Sequence, residues 1–368
     1  MARQARGKIN IMRSNCVISF YRNDLQRTRL WRGKCPVKNC AVDIKQHKVP
    51  FQKFKGKMRY LPFCPEHGIR IHNSGFVYYN GPSTDDLITA TKRNLMFHND
   101  YYVDNFFKKG NKMESGRLCY ESSEDAVSYN VFTELLSNGD ALKRLVCHVT
   151  GQHITDDVEL YLWGGKIDLK NNSFVQYKPL IEVRNHLERD IKRFATEPDI
   201  MLIIPQKAVI CIEAKFGSKN PIAKEQEESL GEKPKGKLKL IERYCKRNKL
   251  IDTDQIFDFS NAPKLFYEQL FRNIVFAASM AKFEDNANWY VVNLRNQHVM
   301  NLKRGKPESM PIMRNIRSIL KPKYKKRFTH LTWENIYDKA VKNDYWLANL
   351  TWYLKNKSLS CGRAFNIL

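Results

Sequence analysis

The chain has 368 residues, 42% of them hydrophobic, so it is long enough to close one large core or two ordinary ones. Its 63 Lys and Arg against 38 Asp and Glu give a formal net charge of +25, which indicates a polyanionic partner, with nucleic acid first. No apolar run approaches the roughly 20 residues of a membrane span, and neither an amphipathic basic helix nor a lipid anchor is evident. Residues 1–15 are not followed by the apolar stretch of a signal peptide, so we expect a cytoplasmic protein with no membrane partner.

The first 72 residues hold much of the excess charge, with 17 Lys or Arg against Asp24, Asp43 and Glu66. Aromatic residues are interleaved with these charges and are expected mainly to pack a small core. We therefore predict that residues 1–110 form a basic DNA-binding module.

Cysteine spacing in this module predicts a zinc site. An odd total of nine cysteines, without an export signal, favours reduced thiols or metal ligands over disulfides. Cys35 and Cys40 form a Cys-x4-Cys pair, and Cys64 and His67 follow after 23 residues as Cys-x2-His. Thiolate and imidazole are favoured zinc ligands, and four of them make a closed structural site of zinc-ribbon type. His47 or Cys16 could replace one ligand.

The region after the module reads as helix, strands, helix, strand. Ser122 and Ser123 can cap a helix whose first turn holds Glu124 and whose apolar face includes Val127 and Val131. Glu124 lies near the middle of that face, so its carboxylate is expected to point inward. The segments 158–163 and 180–183 are predicted as β-rich, and the apolar runs 200–204 and 208–212, joined by three residues, predict a buried hairpin.

The second half of the region is predicted to contain an insertion and then a buried helix. Residues 218–262 are polar and broken by Pro and Gly, which favours an insertion, a lid in one interpretation, with a helix near 238–248. An apolar pattern predicts a long buried helix over 264–281, and residues 289–294 read as a strand. Beyond residue 300 the chain is basic again, from Lys303 to Arg327, where we favour phosphate contacts over a merely solvated face.

The strongest chemical signal is Glu197-Pro198-Asp199, followed after a gap by Glu213-Ala214-Lys215. Antiparallel strands joined by a short turn bring the start of the first strand close to the end of the second, so Asp199 and Glu213 can meet. Two carboxylates repel each other unless a hard cation such as Mg²⁺ binds between them. Lys215 has the same facing as Glu213 and could orient or help to deprotonate an attacking water, and offset charge in the transition state.

This arrangement resembles the PD-(D/E)XK nucleases over about half of the chain. The resemblance implies an α/β fold with a restriction-endonuclease-like core, a mixed central sheet flanked by helices, over residues 111–300, with a basic extension over 301–368. It implies a catalytic set of Glu124, Asp199, Glu213 and Lys215, with Asp199, Glu213 and Glu124 holding Mg²⁺. Gln269 resembles the glutamine that some members place near the metal, although a buried structural Gln fits equally well.

The sequence therefore predicts a magnesium-dependent endonuclease of type II restriction or phage defence, acting on double-stranded DNA. A homodimer and a cognate methyltransferase are the expected protein partners. Alternatives left open are a recombination, repair or transposition nuclease of the same superfamily, a non-catalytic nucleic-acid-binding protein, and an RNA-directed protein. No Ser-His-Asp arrangement, Walker-type loop or paired-glycine dinucleotide turn is found, so hydrolases of those classes, NTPases and dehydrogenases lack support.

Overall fold

A computed structural model gives the fold of the protein. It describes residues 18–27, 33–54, 56–72, 75–97, 117–171, 173, 175–189, 196–221, 223–224, 243–246, 248–260, 265–297 and 309–367. No helix in these ranges combines the length and the apolar character needed to cross a membrane.

The N-terminal module is a small antiparallel sheet followed by one helix. Its elements are β1 (Lys48–Phe54), β2 (Lys57–Cys64), β3 (Ile69–His72), β4 (Gly75–Tyr78) and α1 (Thr84–Lys92). The strands pair in chain order, but β3 meets β2 only at Phe63 and Cys64, so most of the β1–β2 hairpin has two strands. Ser83 caps α1 by accepting a hydrogen bond from the Asp86 backbone.

A second unit is built on a six-stranded mixed sheet. Its strands are β5 (Glu159–Leu162), β6 (Gly165–Lys166), β7 (Ile200–Ile204), β8 (Ala208–Lys215), β11 (Asn288–Arg295) and β12 (Phe328–Thr332), and a small pair, β9 (Ala223–Lys224) with β10 (Leu265–Phe266), lies outside it. The order across the sheet is β12-β11-β8-β7-β5-β6, in which β8, β11 and β12 are parallel and β7 is antiparallel to β8.

Helices cover both faces of this sheet. They are α2 (Glu124–Ser137), α3 (Gly139–Thr150), α4 (Lys178–Leu187), α5 (Thr253–Ile256), α6 (Glu268–Phe283), α7 (Ser309–Ile319), α8 (Trp333–Ile336) and α9 (Ala348–Asn356), with shorter helical turns at Arg22–Asp24, Pro322–Arg327, Tyr337–Val341 and Tyr345–Leu347. The core on one face joins the sheet to α2, α3, α8 and α9, and the core on the other joins it to α4, α6 and α7. The predicted α/β fold with a mixed sheet between helices is therefore confirmed.

Several local predictions can be compared with the structure. The hairpin 200–204/208–212 and the helix capped by Ser123 are confirmed. The β-rich prediction for residues 180–183 is wrong, because they lie in α4. Pro179 is in the first turn of this helix, and its buried Leu180 and Val183 have helical spacing. The predicted helix near 238–248 is described only at residues 243–246 and 248, and residues 225–242 of the predicted insertion lie outside the described residues.

The C-terminal residues complete the fold. The domain boundaries at residues 110 and 300 remain predictions. β12 is an edge strand of the central sheet and pairs with β11. Trp333 and Phe365 belong to the core on the α2 face, and the hairpin β13 (Ser358–Leu359) with β14 (Gly362–Arg363) follows α9. β12 and the buried residues that follow it therefore pack with the central sheet.

Candidate active site and zinc site

The β7–β8 hairpin brings together the two halves of the sequence motif. Every residue of both strands is buried. Ile200 pairs with Ile212, so Asp199, just before β7, lies beside Glu213 near the C-terminal end of β8. The backbone N–H of Ala214 donates a hydrogen bond of 2.9 Å to Asp199 Oδ2. The carboxylate of Asp199 is therefore held at the end of β8.

Lys215 lies between two carboxylates. Its Nζ is 2.6 Å from Glu213 Oε1 and 3.4 Å from Glu124 Oε1. The side chains of Lys215 and Glu213 are only 7% and 4% exposed. Burial lowers the pKa of Lys215, but Glu213, Asp199 and Glu124 outweigh burial, and the net pKa is raised. The lysine is an ammonium ion in this arrangement.

Glu124 reaches the C-terminal end of β8 from the first turn of α2. Its Oε2 accepts hydrogen bonds from the backbone N–H of Phe216 at 2.8 Å and from the Ser218 hydroxyl at 2.9 Å. Its side chain is 26% exposed, and these contacts place its carboxylate beside the C-terminal end of β8. Burial raises the pKa of Glu124, and the charge of Lys215 partly offsets this effect.

The fifth predicted residue, Gln269, is half-buried on α6. The hydrogen bond from α6 to Glu213 comes from Asn273, one turn later, whose side-chain N–H donates to Oε2 at 2.9 Å. Sequence reasoning missed Asn273. A spacing of four residues from Gln269 places it on the same helix face and was the one available signal.

A polar row continues across the parallel strands. Asn293 pairs in register with Glu213 on one side and with His330 on the other. The side-chain amide of Asn293 accepts a hydrogen bond from Asn220 at 2.9 Å and lies 3.2 Å from His330 Nδ1. No sequence pattern reveals this row, because it depends on the register of strands distant in the chain.

The candidate site thus combines oxygen ligands with one buried cation. Its carboxylates are hard donors of the kind that Mg²⁺ prefers. Glu124 is joined to Glu213 through Lys215 and not directly.

The N-terminal module holds a cluster of cysteine and histidine side chains. In the described part of the chain, it is the single group of three or more His, Cys, Asp or Glu residues whose ligand atoms all lie within 4.8 Å of one another.

That cluster consists of the four predicted zinc ligands, Cys35, Cys40, Cys64 and His67. The Sγ atoms of Cys40 and Cys64 are 3.7 Å apart, and His67 Nδ1 is 3.3 Å from Cys64 Sγ and 3.8 Å from Cys35 Sγ. Zinc bonds of about 2.3 Å to sulfur and about 2.0 Å to nitrogen place tetrahedral ligands about 3.5–3.8 Å apart. The four side chains therefore have the separations of a closed zinc site.

The surroundings of the cluster hold it in this form. Arg93 on the C-terminal side of α1 donates hydrogen bonds of 2.8 Å to the carbonyls of His67 and Gly68, which fixes the turn after Cys64. Burial raises the pKa of the Cys35 thiol, and a backbone hydrogen bond at Val37 partly offsets this rise. Of the alternative ligands, His47 is not in the cluster, and Cys16 lies outside the described residues.

Comparison with known proteins identifies the family. The family model described as "Restriction Endonuclease associating with ARP" matches residues 63–357. Searches of curated proteins and of solved structures found no match. The matched span contains all five candidate catalytic residues, from Glu124 to Gln269, and two of the four cluster ligands, Cys64 and His67. Because the match covers most of the chain, the protein belongs to the family of restriction endonucleases associating with ARP.

Proposed function

We propose that the protein is a magnesium-dependent endonuclease of the PD-(D/E)XK type that hydrolyses DNA in restriction or in defence against foreign DNA. The observation that carries the proposal is the contact of Lys215 with both Glu213 and Glu124 at the C-terminal end of β8, where Asp199 also lies. An ammonium ion beside three carboxylates, with two of the four residues almost fully buried, costs desolvation energy, and such groups cluster at functional sites.

The side chains fit a divalent metal. Asp199 and Glu213 would be its first ligands and Glu124 a further one, since each carboxylate has lone pairs beyond those used in the hydrogen bonds described above. When bound, Mg²⁺ would polarise the phosphate and lower the pKa of a water molecule. Lys215 would orient the attacking water and offset the charge that develops on the phosphate oxygens. Gln269, on the face of α6 that also carries Asn273, would approach the same site.

The proposed substrate is double-stranded DNA. The net charge of +25 supports a polyanion, and the family is one of restriction endonucleases. Lys219, which follows the active strand, is exposed and would contact a phosphate. The zinc-bound N-terminal module would add affinity by the same electrostatic means.

The protein partners are also proposals. The family description names an association with ARP, and we extend that association to this chain. Restriction-type cutting of both strands often uses two active sites, so two copies of the chain would act together. A cognate methyltransferase would protect host DNA, and the site of action would be the cytoplasm.

The test is cleavage of plasmid and linear DNA, modified and unmodified, by the purified full-length chain with Mg²⁺ or with no added divalent ion. Glu213→Gln and Lys215→Met should each reduce the rate at least about a hundredfold while DNA binding survives. Lys207→Met is a matched control, because Lys207 lies at the opposite end of the same hairpin and pairs with Asp156 at 2.7 Å. Parallel assays on RNA identify the nucleic acid.

Two results would contradict the proposal. One is a folded Glu213→Gln or Lys215→Met variant that cuts at the wild-type rate. The other is DNA binding by the wild type without cleavage of any substrate, with no uptake of Mn²⁺ or Ca²⁺ in calorimetry. That second result would favour the non-catalytic alternative.

A further inference from the structure

The β1–β2 hairpin has an unusual exposure pattern. Lys57, Met58, Arg59 and Tyr60 follow one another along β2, and all four are exposed, Met58 by 40% and Tyr60 by 56%. Successive residues of a strand point to opposite faces of the sheet, so a strand packed on one side would show alternate burial. Both faces of β2 are therefore open to solvent along residues 57–60.

The sequence of the hairpin carries charge of one sign. Residues 48–64 contain five basic residues, Lys48, Lys53, Lys55, Lys57 and Arg59, and no Asp or Glu. Lys48, Lys57 and Arg59 are exposed in the structure. A two-stranded ribbon has little stability of its own, and its exposed Tyr60 and Met58 add apolar surface that contributes to no core. This composition fits binding to a polyanion with an apolar interior.

The base of the ribbon is fixed in space. Cys64, the last residue of β2, is one of the four zinc-site ligands, and the backbone N–H of Phe63 donates a hydrogen bond of 2.9 Å to the carbonyl of His47. The Phe63 ring also contacts Tyr79, with centroids 5.6 Å apart. The direction in which the ribbon projects therefore depends on the zinc site.

We propose that the β1–β2 hairpin enters the major groove of duplex DNA and reads its sequence. This inference rests on the proposed function, in which duplex DNA is the substrate. Two strands about 4.8 Å apart fit a groove about 12 Å wide. The seven residues of β1 span about 23 Å, enough to follow the groove over several base pairs. Arg59 is suited to paired hydrogen bonds with guanine, and the Lys57 ammonium to a phosphate.

The family match supports a separation of reading from cutting. It begins at residue 63, so nearly the whole hairpin lies outside it, while the proposed catalytic residues lie inside. Changes in the ribbon should then alter which DNA is bound and leave the chemistry intact.

The first experiment measures binding of the full chain to duplex DNA over a series of salt concentrations, without added Mg²⁺ and without a chelator, which would remove the zinc. The double variant Lys57→Gln with Arg59→Gln should weaken binding, and loss of the Lys57 phosphate contact should lower the slope of log affinity against log salt by about 0.9. The control removes two exposed lysines elsewhere, Lys170→Gln with Lys282→Gln, and should leave the slope within error of the wild type. Zinc content and melting temperature confirm that each variant is folded.

The second experiment selects bound sequences from a random duplex library with the wild type, Arg59→Gln and Tyr60→Ser. We expect the wild type to enrich particular bases and each variant to relax that preference at one or more positions. Cleavage rates at saturating DNA should remain unchanged. The inference is overturned if the variants keep the wild-type salt slope and enriched sequences, if the wild type selects no sequence, or if duplex RNA competes as well as DNA. Because binding is measured without the Mg²⁺ that cleavage requires, these outcomes are independent of whether the protein cleaves.

Discussion

Asn273 and Lys215 hold opposite oxygens of the Glu213 carboxylate. The Asn273 side chain donates to Oε2 at 2.9 Å, and the Lys215 ammonium lies 2.6 Å from Oε1. Asn273 is itself 2% exposed, and it lies on α6, which packs against β8. The orientation of the proposed metal ligand is thus set by a helix that follows the motif by more than 50 residues.

Removal of this hydrogen bond should weaken metal-dependent cleavage. In Asn273→Ala, Glu213 can rotate, and we expect the Mg²⁺ concentration for half-maximal rate to rise by about tenfold or more. Loss of a partner for a buried carboxylate oxygen should also lower the free energy of unfolding by about 1–3 kcal/mol. Rates over a magnesium series and chemical denaturation give the two numbers. An unchanged magnesium dependence would refute the positioning role, and Lys282→Ala, on the exposed end of α6, is the control.

The zinc site makes a separate prediction. The native protein should hold one zinc per chain, and Cys64→Ser should remove it and lower the melting temperature, because metal binding supplies folding free energy to a small module. Cys147→Ser, at a half-buried cysteine outside the cluster, should keep the metal. Elemental analysis after dialysis measures both. Native protein without stoichiometric zinc would refute the assignment.

Local patterns determined how much the sequence could predict. The hairpin that carries Asp199 and Glu213, and the cap at Ser123, depend on neighbouring residues, and both were predicted correctly. Residues 180–183 were misassigned because a short apolar run fits a strand or a helix until tertiary packing decides.

Long-range contacts could not be predicted. The Trp333 indole N–H donates a hydrogen bond of 3.2 Å to the carbonyl of Lys215. His330 joins the polar row through its contact with Asn293. His330 lies in β12, the edge strand beside β11, and Trp333 directly follows it; the basic sequence before this strand gave no sign of it. Contacts between residues so far apart in the chain depend on strand register, which a single sequence does not specify.

His330 should reduce stability in acid. Burial, with the charge of Arg295, lowers the pKa of His330 to about 4, against about 6.5 in an unfolded chain. As the pH falls from 6.5 to 4, the unfolded state takes up a proton that the folded state does not, so the free energy of unfolding decreases. His330→Asn keeps a hydrogen-bond acceptor for Asn293 and does not titrate. Between pH 7 and 4.5 the wild type should lose about 2 kcal/mol more than the variant, after allowance for partial exposure. Parallel losses in urea denaturation would contradict this.

Lys357 should increase the free energy of unfolding in alkali. It is 4% exposed, and its Nζ donates a hydrogen bond of 2.8 Å to the carbonyl of Glu121, whose carboxylate accepts from the Cys361 backbone. Burial lowers the pKa of Lys357 to about 8, an effect that Glu121 and Cys361 only partly offset. Between pH 8 and the unfolded value of about 10.4, the folded state has released a proton that the unfolded state still holds, so the free energy of unfolding rises with pH.

This rise should be visible against a variant that lacks the amine. Relative to Lys357→Met, the wild type should gain about 2–3 kcal/mol from pH 7.5 to pH 10, since one pKa unit corresponds to about 1.4 kcal/mol. Other groups that titrate in this range are common to both proteins and cancel in the difference. Lys355→Met, on the last turn of α9, should follow the wild type. Urea denaturation at each pH provides the free energies. If the difference between wild type and Lys357→Met stays constant from pH 7.5 to pH 10, Lys357 does not titrate near pH 8 and the C-terminal hairpin is not held by a buried, easily deprotonated lysine.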